Sequence, residues 1–167
     1  KFEEAKGILG DVEQRNVGYT EIQADSLEEV AAFGIEEVKE KLDGPVMIED
    51  AGLFIESLKG FPGVYSAYIF DTIGNEGILR LMDGIEDRRA VFRSVLGYAE
   101  PGMEPIFFRG ELEGEITAEP RGSGGFGYDP IFEVGGKTIA EMEIAEKNEI
   151  SHRGASICAL ERWLASR

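Results

Sequence analysis

Two periodicities of apolar residues run along this chain and predict helices and strands. Ser26 is followed by two glutamates at the spacing of a helix N-terminal cap, and apolar residues then recur every three or four positions. We therefore predict a helix after Ser26 whose apolar face is formed by Val30, Phe33, Val38 and Leu42. The same period predicts helices over Asn75 to Met82 and over Ser151 to Ala165.

A mostly apolar side along extended segments predicts strands in the second half of the chain. Arg88 to Tyr98 is one such segment, and every second residue from Ala90 onward faces the same side, including Ser94. Further strands are predicted over Asp11 to Tyr19, Val46 to Ile48, Ile106 to Ile116 and Pro130 to Val134. Helices and strands alternate early and long strands follow each other late, which favours an α/β fold with a mixed sheet and flanking helices.

The charge of the chain narrows the classes of partner. It has 33 Asp plus Glu against 17 Lys plus Arg, a formal net charge of −16 over 167 residues. Such a charge argues against nucleic acid or an anionic membrane surface as a partner. No apolar run approaches the roughly 18 residues of a membrane span. A phosphorylated substrate would need a local cation cluster or a divalent metal.

The first candidate site is a pair of carboxylates, Glu49 and Asp50, at the predicted end of the Val46 to Ile48 strand. Carboxylates there are costly unless they are solvated, paired or bound to metal. They suit Mg²⁺, which commonly takes one or two carboxylates together with substrate phosphates. Glu21 is a possible second ligand. A solvated strand end is the alternative interpretation.

The second candidate site is the glycine-rich segment that ends in Phe126, Tyr128 and Asp129. If the segment is extended, its two rings point the same way and could stack on a nucleobase. Asp129 could then accept a hydrogen bond from a ring N–H. The alternative is a glycine hairpin with its aromatic side chains in the core.

The third candidate site gathers Lys147, His152 and Arg153 around the predicted start of the last helix, beside Ser151. Cations at a helix N-terminus are unfavourable without a ligand, because the helix dipole is positive there. This arrangement is typical of a functional site. The alternative is that the cations pair with some of the many acidic side chains.

Five motifs together resemble the inosine/xanthosine triphosphate pyrophosphatase family. They are, in chain order, IEDAGL, FPGVYSAY, GFGYDPIF, TIAEM and EKNEISHRGA. The resemblance implies an elongated α/β fold with a long mixed sheet and two lobes, the active site lying in the cleft between them. It also implies Mg²⁺ as cofactor, a homodimer and a cytoplasmic location. The implied reaction hydrolyses ITP, dITP and XTP to the monophosphate and pyrophosphate, which keeps deaminated purines out of DNA and RNA.

The resemblance also assigns roles to individual residues. Asp50 would bind Mg²⁺ and act as the base on the attacking water, with Glu49 beside it as a catalytic residue. Glu21 would be the other metal ligand. Ala51 would contact the substrate through its backbone, and Lys1 would bind phosphate.

A second set of implied roles concerns the purine. Phe126, Gly127, Tyr128 and Asp129 would hold the base, and Tyr128 stands where other members often have Trp. Lys147, His152 and Arg153 would complete the site. We interpret this last group as donors to the 6-keto oxygen of the purine, since adenine presents an amino donor there. Binding of phosphate by the same group stays open.

The start of the chain departs from the family pattern. The family begins with a strand and a loop of the form [ST]-x-N-x-x-K, and Lys1 stands where the lysine of that loop would be. We therefore expect residues 1–167 to form a single pyrophosphatase domain that lacks its N-terminal strand and phosphate-binding loop.

Two other classes of protein were weighed. A Nudix pyrophosphatase needs a helix of the form R-E-x-x-E-E after a glycine, and the chain has no such string. A non-catalytic nucleotide sensor on the same fold would not need the three carboxylates Glu21, Glu49 and Asp50.

Overall fold

A computed structural model describes residues 2–20 and 22–167. The helices are α1 (Phe2–Leu9), α2 (Leu27–Lys39), α3 (Ser66–Leu81), α4 (Ile144–Glu149) and α5 (His152–Ala165). The strands are β1 (Val46–Ile55), β2 (Arg89–Ala99), β3 (Ile106–Ile116), β4 (Phe132–Val134) and β5 (Lys137–Thr138). This is a mixed α/β fold, which confirms the predicted fold class.

One five-stranded sheet contains all of these strands, in the order β1-β2-β3-β4-β5. The pairs β3–β4 and β4–β5 are antiparallel, with Ile116 opposite Phe132 and Glu133 opposite Thr138. Neighbours in the sheet are therefore also neighbours in the sequence, although α3 lies between β1 and β2 along the chain.

The chain forms two compact units. The first contains the residues up to Ala51, Ser94–Gly110 and His152–Arg167, and the second contains Gly52–Arg93 and Glu111–Ser151. β1, β2 and β3 contribute residues to both units.

The core of the first unit has two apolar clusters. One packs Leu96 and Tyr98 of β2 against Ile157 and Leu160 of α5, with Ala5 of α1. The other packs α2 against β1 and the end of β2; its buried members are Ile35, Val38, Val46, Ile48 and Ala99. α5 is therefore anchored to the sheet by its apolar face, which fixes the position of its first turn.

The core of the second unit is one larger cluster. Its fully buried side chains include Leu53 and Ile55 of β1, Ile78 of α3, and Ile131 and Phe132 at the start of β4. Tyr128 belongs to the same cluster. The glycine-rich segment is thus tied to the core at its C-terminal end.

Several predicted boundaries were wrong. Residues 11–19, all of them described, contain no strand. β1 continues through Ile55 instead of ending at Ile48, so Glu49 and Asp50 lie in mid-strand. Gly52 allows this continuation, because a Cβ at that position would overlap the carbonyl oxygen of Gly63 and stand 3.0 Å from its carbonyl carbon.

The predicted helix at Asn75 is the second part of a longer one. α3 begins at Ser66 and bends at Gly74, whose φ of 62° and ψ of −166° are not helical. The aromatic and β-branched residues before the bend have low helix propensity, and tertiary packing overrides that preference. The helical period of apolar residues predicts only the part of α3 that follows the bend at Gly74.

The predicted cap of α2 is confirmed. Ser26 Oγ accepts the backbone N–H of Glu29 at 3.2 Å. Glu29 in turn accepts the backbone N–H of Asp25 at 3.0 Å, one residue earlier than a capping box requires.

Over residues 2–20 and 22–167, no helix has both the length and the apolar character of a membrane span.

Candidate active site

The two carboxylates of β1 lie on opposite faces of the strand. Consecutive side chains of a strand alternate, so the carboxylates of Glu49 and Asp50 cannot act as one pair. Asp50 is half-buried, and its Oδ1 accepts the backbone N–H of Ala51 at 2.9 Å. This bond fixes one carboxylate oxygen beside the Ala51 backbone that the resemblance assigns to the substrate.

Glu49 is engaged by a cation and a hydroxyl. Its Oε1 accepts from Arg153 Nε at 3.1 Å and from Ser94 Oγ at 2.9 Å. The side chains of Arg153 and Glu49 are only 9% and 12% exposed, so the pair is largely removed from water. A charge in such a place is tolerated only when it is paired and hydrogen-bonded.

Two fully buried serines extend this contact. Ser94 Oγ and Ser156 Oγ are 3.0 Å apart, and Ser156 Oγ also donates to the carbonyl of Arg153 at 2.9 Å. The carboxylate of Glu49 can only accept, so Ser94 donates its proton to Glu49, and the single hydroxyl proton of Ser156 is shared between the Arg153 carbonyl and Ser94 Oγ. Glu4 of α1 adds a second carboxylate, 3.6 Å from Arg153 Nη1.

The start of α5 lies against a glycine of β3. A Cβ at Gly110 would overlap the carbonyl oxygen of His152 and stand 2.8 Å from the backbone nitrogen of Ser156. Both of those atoms belong to backbone, so the helix itself would have to move. Gly110 therefore allows the first turn of α5, with half-buried His152 and buried Arg153, to lie against the strand.

A second group of site residues lies in the other unit, around the turn at 126–129. Asp129 Oδ2 accepts the backbone N–H of Phe126 at 2.9 Å and the ammonium of Lys147 at 2.6 Å. Lys147 Nζ also lies 5.0 Å from the centre of the Phe126 ring, within range of a cation–π contact. Asp129 is buried, whereas Phe126 is 63% exposed.

Tyr128 occupies a different environment from Phe126. It is 5% exposed, its hydroxyl donates to the carbonyl of Ser66 at 2.8 Å, and Phe70 packs edge-on to its ring. Burial raises the pKa of the Tyr128 hydroxyl above its ordinary value. The segment is a turn and not extended, so the geometric argument for two rings pointing the same way does not hold. The stacking role of Tyr128 stays a prediction.

Gly125 gives the turn its shape. Its φ is 71°, and a Cβ there would overlap Asp129 Oδ2 and stand 2.9 Å from Asp129 Cγ. Asp129 can therefore fold back on the turn only because residue 125 is glycine.

The three cations of the third candidate site belong to different compact units, Lys147 to one and His152 with Arg153 to the other. Lys147 pairs with Asp129 in one unit, and Arg153 pairs with Glu49 in the other. Lys147 and Arg153 therefore both pair with acidic side chains, as the alternative interpretation predicted. Glu21 and Lys1, the predicted metal and phosphate ligands, lie outside the described residues.

The Asp50 carboxylate is compatible with one ligand position of a divalent cation such as Mg²⁺. In the part of the chain that the structure describes, no three His, Cys, Asp or Glu side chains gather as a metal cage. Mg²⁺ does not require one, because it binds through one or two carboxylates and completes its shell with water and phosphate. The half-buried Asp50 carboxylate meets that need.

Sequence reasoning missed three residues of the Arg153 network. Glu4, Ser94 and Ser156 carried no motif signal. Ser94 could have been recognised by its position, since it is the polar residue on the apolar side of β2. A hydroxyl in such a register needs a buried partner.

Comparison with known proteins decides the family. The sequence profile of the Ham1 family matches residues 1–163. The chain belongs to the Ham1 family. The dITP/XTP pyrophosphatase of Methanopyrus kandleri is 54% identical, covering 98% of this chain and 90% of that protein. The dITP/XTP pyrophosphatase of Pyrococcus horikoshii is also 54% identical, covering 98% of this chain and 91% of that protein.

A solved structure supports the same assignment. A HAM1 protein from Coxiella burnetii superimposes with a TM-score of 0.89 at 32% identity, covering 99% of this chain and 93% of that chain. The resemblance drawn from the five motifs is thereby confirmed.

Proposed function

We propose that this protein hydrolyses non-canonical purine nucleoside triphosphates, with ITP, dITP and XTP as substrates, to the monophosphate and pyrophosphate. The observation that carries the proposal is the 54% identity, over 98% of the chain, to proteins named dITP/XTP pyrophosphatase. The Phe126, Asp129 and Lys147 arrangement supports it, because an exposed ring beside a buried carboxylate suits a purine.

Asp50 is the catalytic base in this proposal. It takes a proton from water, the water oxygen bonds to the α phosphorus, and the bond from that phosphorus to the bridging oxygen breaks to release pyrophosphate. The Ala51 N–H bond to Oδ1 holds the carboxylate in one orientation during this step. Mg²⁺, held by Asp50 and Glu21, would screen the phosphate charge against the −16 of the chain.

Glu49 takes a supporting role in the proposal. Its contacts with Arg153 and Ser94 favour positioning of Arg153 over direct participation in the reaction. A nucleotide sensor on the same fold could also use Glu49 to position Arg153, so Glu49 does not distinguish a sensor from an enzyme. The names of the relatives now carry the enzymatic assignment.

Two groups of residues contact the purine in this proposal. Phe126 stacks on the base, Gly127 and Tyr128 shape the turn, and Asp129 accepts a ring N–H while Lys147 donates. His152 and Arg153 add donors at the start of α5. Lys1 binds phosphate. A homodimer in the cytoplasm is part of the same proposal.

A pyrophosphate-release assay tests the function. Purified protein with Mg²⁺ is given ITP, dITP, XTP and the four standard nucleotides, and pyrophosphate and orthophosphate are measured separately. We expect pyrophosphate from the first three far faster than from ATP, with orthophosphate not the primary product. Equal turnover of all nucleotides would contradict the proposed specificity.

Asp50→Asn tests the proposed base. The change removes both charge and basicity, so we expect turnover to fall by about 10²- to 10⁴-fold. The melting temperature without metal should be unchanged or higher, because a repulsive carboxylate is gone. Asp43→Asn makes the same change at an exposed position and should leave activity intact. Near-normal activity in Asp50→Asn would show that the carboxylate is only a solvated side chain.

A further inference from the structure

Asn75 connects α3 to the 126–129 turn. Its Nδ2 donates to the carbonyl of Gly127 at 3.0 Å, across 52 positions of sequence. It directly follows Gly74, the residue at which α3 bends. Glycine adopts the positive φ of Gly74 at little cost, so the bend of α3 lies directly before Asn75.

The orientation of the Asn75 amide follows from its partner. A carbonyl oxygen only accepts, so the NH₂ group must face Gly127 and the amide oxygen must face away. Asn75 Oδ1 is buried and has no hydrogen-bond partner among the described residues. A buried acceptor without a partner is unfavourable, so the side chain is held in place by its donor side.

α3 holds the same turn at two further points. Near its start, the carbonyl of Ser66 accepts from the Tyr128 hydroxyl at 2.8 Å, and the Phe70 ring contacts the Tyr128 ring at 5.3 Å between centroids. These contacts lie before the bend at Gly74, and Asn75 lies after it. The turn is therefore held on both sides of the bend, with Gly127 and Tyr128 as its two attachment points.

We propose that Asn75 is a positioning residue for purine binding: it fixes the Gly127 carbonyl and thereby the exposed ring of Phe126. The inference rests on the proposed function, since it concerns the same base site. Asn75 acts through the backbone of Gly127 and takes no part in the chemistry at Asp50. Its loss should weaken substrate binding and leave the rate of the bound complex nearly unchanged.

The decisive variant is Asn75→Asp, which keeps the shape of the side chain and replaces the donor with an acceptor. A carboxylate oxygen would then face the Gly127 carbonyl. We expect KM for ITP to rise about tenfold, the scale of one lost buried hydrogen bond, with kcat within about twofold of wild type. Asn75→Ala should change KM in the same direction by a smaller factor and guards against misfolding of the aspartate variant.

The matched control is Asn16→Asp, the same chemical change at an exposed position. It should leave KM and kcat unchanged. A merely structural role for Asn75 would lower kcat, or the folded fraction, without a selective rise in KM. That result, or a KM equal to that of the control, would overturn the inference.

Hydrogen exchange supplies a readout that needs no nucleotide. The amides of Phe126 and Asp129 should exchange faster in Asn75→Asp than in wild type or Asn16→Asp, because the turn has lost its link to α3. If the wild-type protein released no pyrophosphate from any nucleotide, the proposed function would fail while this measurement still decided the role of Asn75. Unchanged exchange at these amides would overturn it.

Discussion

The two cation–carboxylate pairs of the candidate site differ in how far they are removed from water. Lys147 is 30% exposed, its partner Asp129 is 9% exposed, and the ammonium lies against a ring that is itself open to solvent. Arg153 and Glu49 are 9% and 12% exposed, with a second acid and two buried serines around them. One pair can accept a ligand with little rearrangement, and the other is enclosed.

This difference in exposure suggests different roles for the two cations: Lys147 can contact a ligand, and Arg153 holds the structure around it. An exposed ammonium can exchange part of its contact with Asp129 for a purine oxygen, since water already reaches it. The Arg153 guanidinium is held by Glu49 and by the carboxylate of Glu4, so any donor role toward the substrate must leave these contacts in place. We therefore expect Lys147 variants to affect substrate choice and Arg153 variants to affect the fold first.

The largest effect is expected from Arg153→Ala. The change leaves the mostly buried Glu49 carboxylate without its cation, and we expect the free energy of unfolding to fall by about 3 kcal/mol. Urea unfolding followed by circular dichroism measures it. Arg89→Ala, which removes an exposed pair with Asp87, should leave the free energy of unfolding nearly unchanged. Equal losses in the two variants would remove the distinction between enclosed and open pairs.

A smaller and more selective effect is expected from Lys147→Ala. Its free energy of unfolding should fall by less than in Arg153→Ala, because water already reaches the lysine and Asp129 keeps the hydrogen bond from the Phe126 N–H. The ratio of kcat/KM for ITP over ATP should fall by roughly tenfold, the scale of one charge-assisted hydrogen bond to the 6-keto oxygen. The ratio is obtained by assaying both nucleotides with each variant.

The control for this measurement is Lys39→Ala, which removes a lysine paired with Glu36 on α2. It should leave the ratio unchanged. Arg153→Ala supplies the comparison: if it lowers the ratio as Lys147→Ala does, Arg153 also reads the base. If activity on both nucleotides falls in parallel in Lys147→Ala, the lysine binds phosphate, and base selection belongs to Phe126, Tyr128 and Asp129.

The smallest effect is expected from the ionisation of Glu146 in α4, the helix that carries Lys147, on the stability of the protein at different pH. The hydrogen bond from Lys137, and a second from the Glu143 backbone, hold the pKa of Glu146 below its ordinary 4.5. The folded state therefore favours the ionised form, and the stability this gives is present above pH 4.5 and lost as the pH falls through the lower folded pKa. Glu146 is exposed, so the contribution is small and falls with added salt.

Thermal unfolding of Glu146→Gln as a function of pH measures this contribution. The melting temperature of wild type should exceed that of Glu146→Gln near neutral pH, and the two should converge in acid. A constant difference across the whole range would show that Glu146 contributes through packing and not through its charge.

Local signals predicted the elements that depend on near neighbours in sequence. The cap of α2 at Ser26 and the span of β3 from Ile106 to Ile116 follow from side chains within a few positions, and both are confirmed. The extent of β1 and the start of α3 could not be predicted. They depend on the approach of Gly52 to Gly63 and on packing of aromatic residues, which involve atoms distant in sequence.

The site followed the same division. The motifs predicted Asp50, the 126–129 turn and the first turn of α5 as site residues, because each lies in a contiguous string. The partners of those residues are scattered: Arg153 is paired with Glu49 across 104 positions, and Gly127 with Asn75 across 52. Sequence alone could name the cations, but only the fold could assign each of them a carboxylate.

The glycine at position 110 limits which sequences this strand can carry. At an exposed position of β3 such as Glu113, replacement by valine or isoleucine would be expected to favour the strand, since β-branched residues suit a pleated surface. At Gly110 any side chain meets the backbone of His152 and Ser156, so we expect a saturation library selected for activity to return glycine alone. A stabilising redesign of the sheet that ignored this position would raise strand propensity and displace the helix start that presents His152 and Arg153.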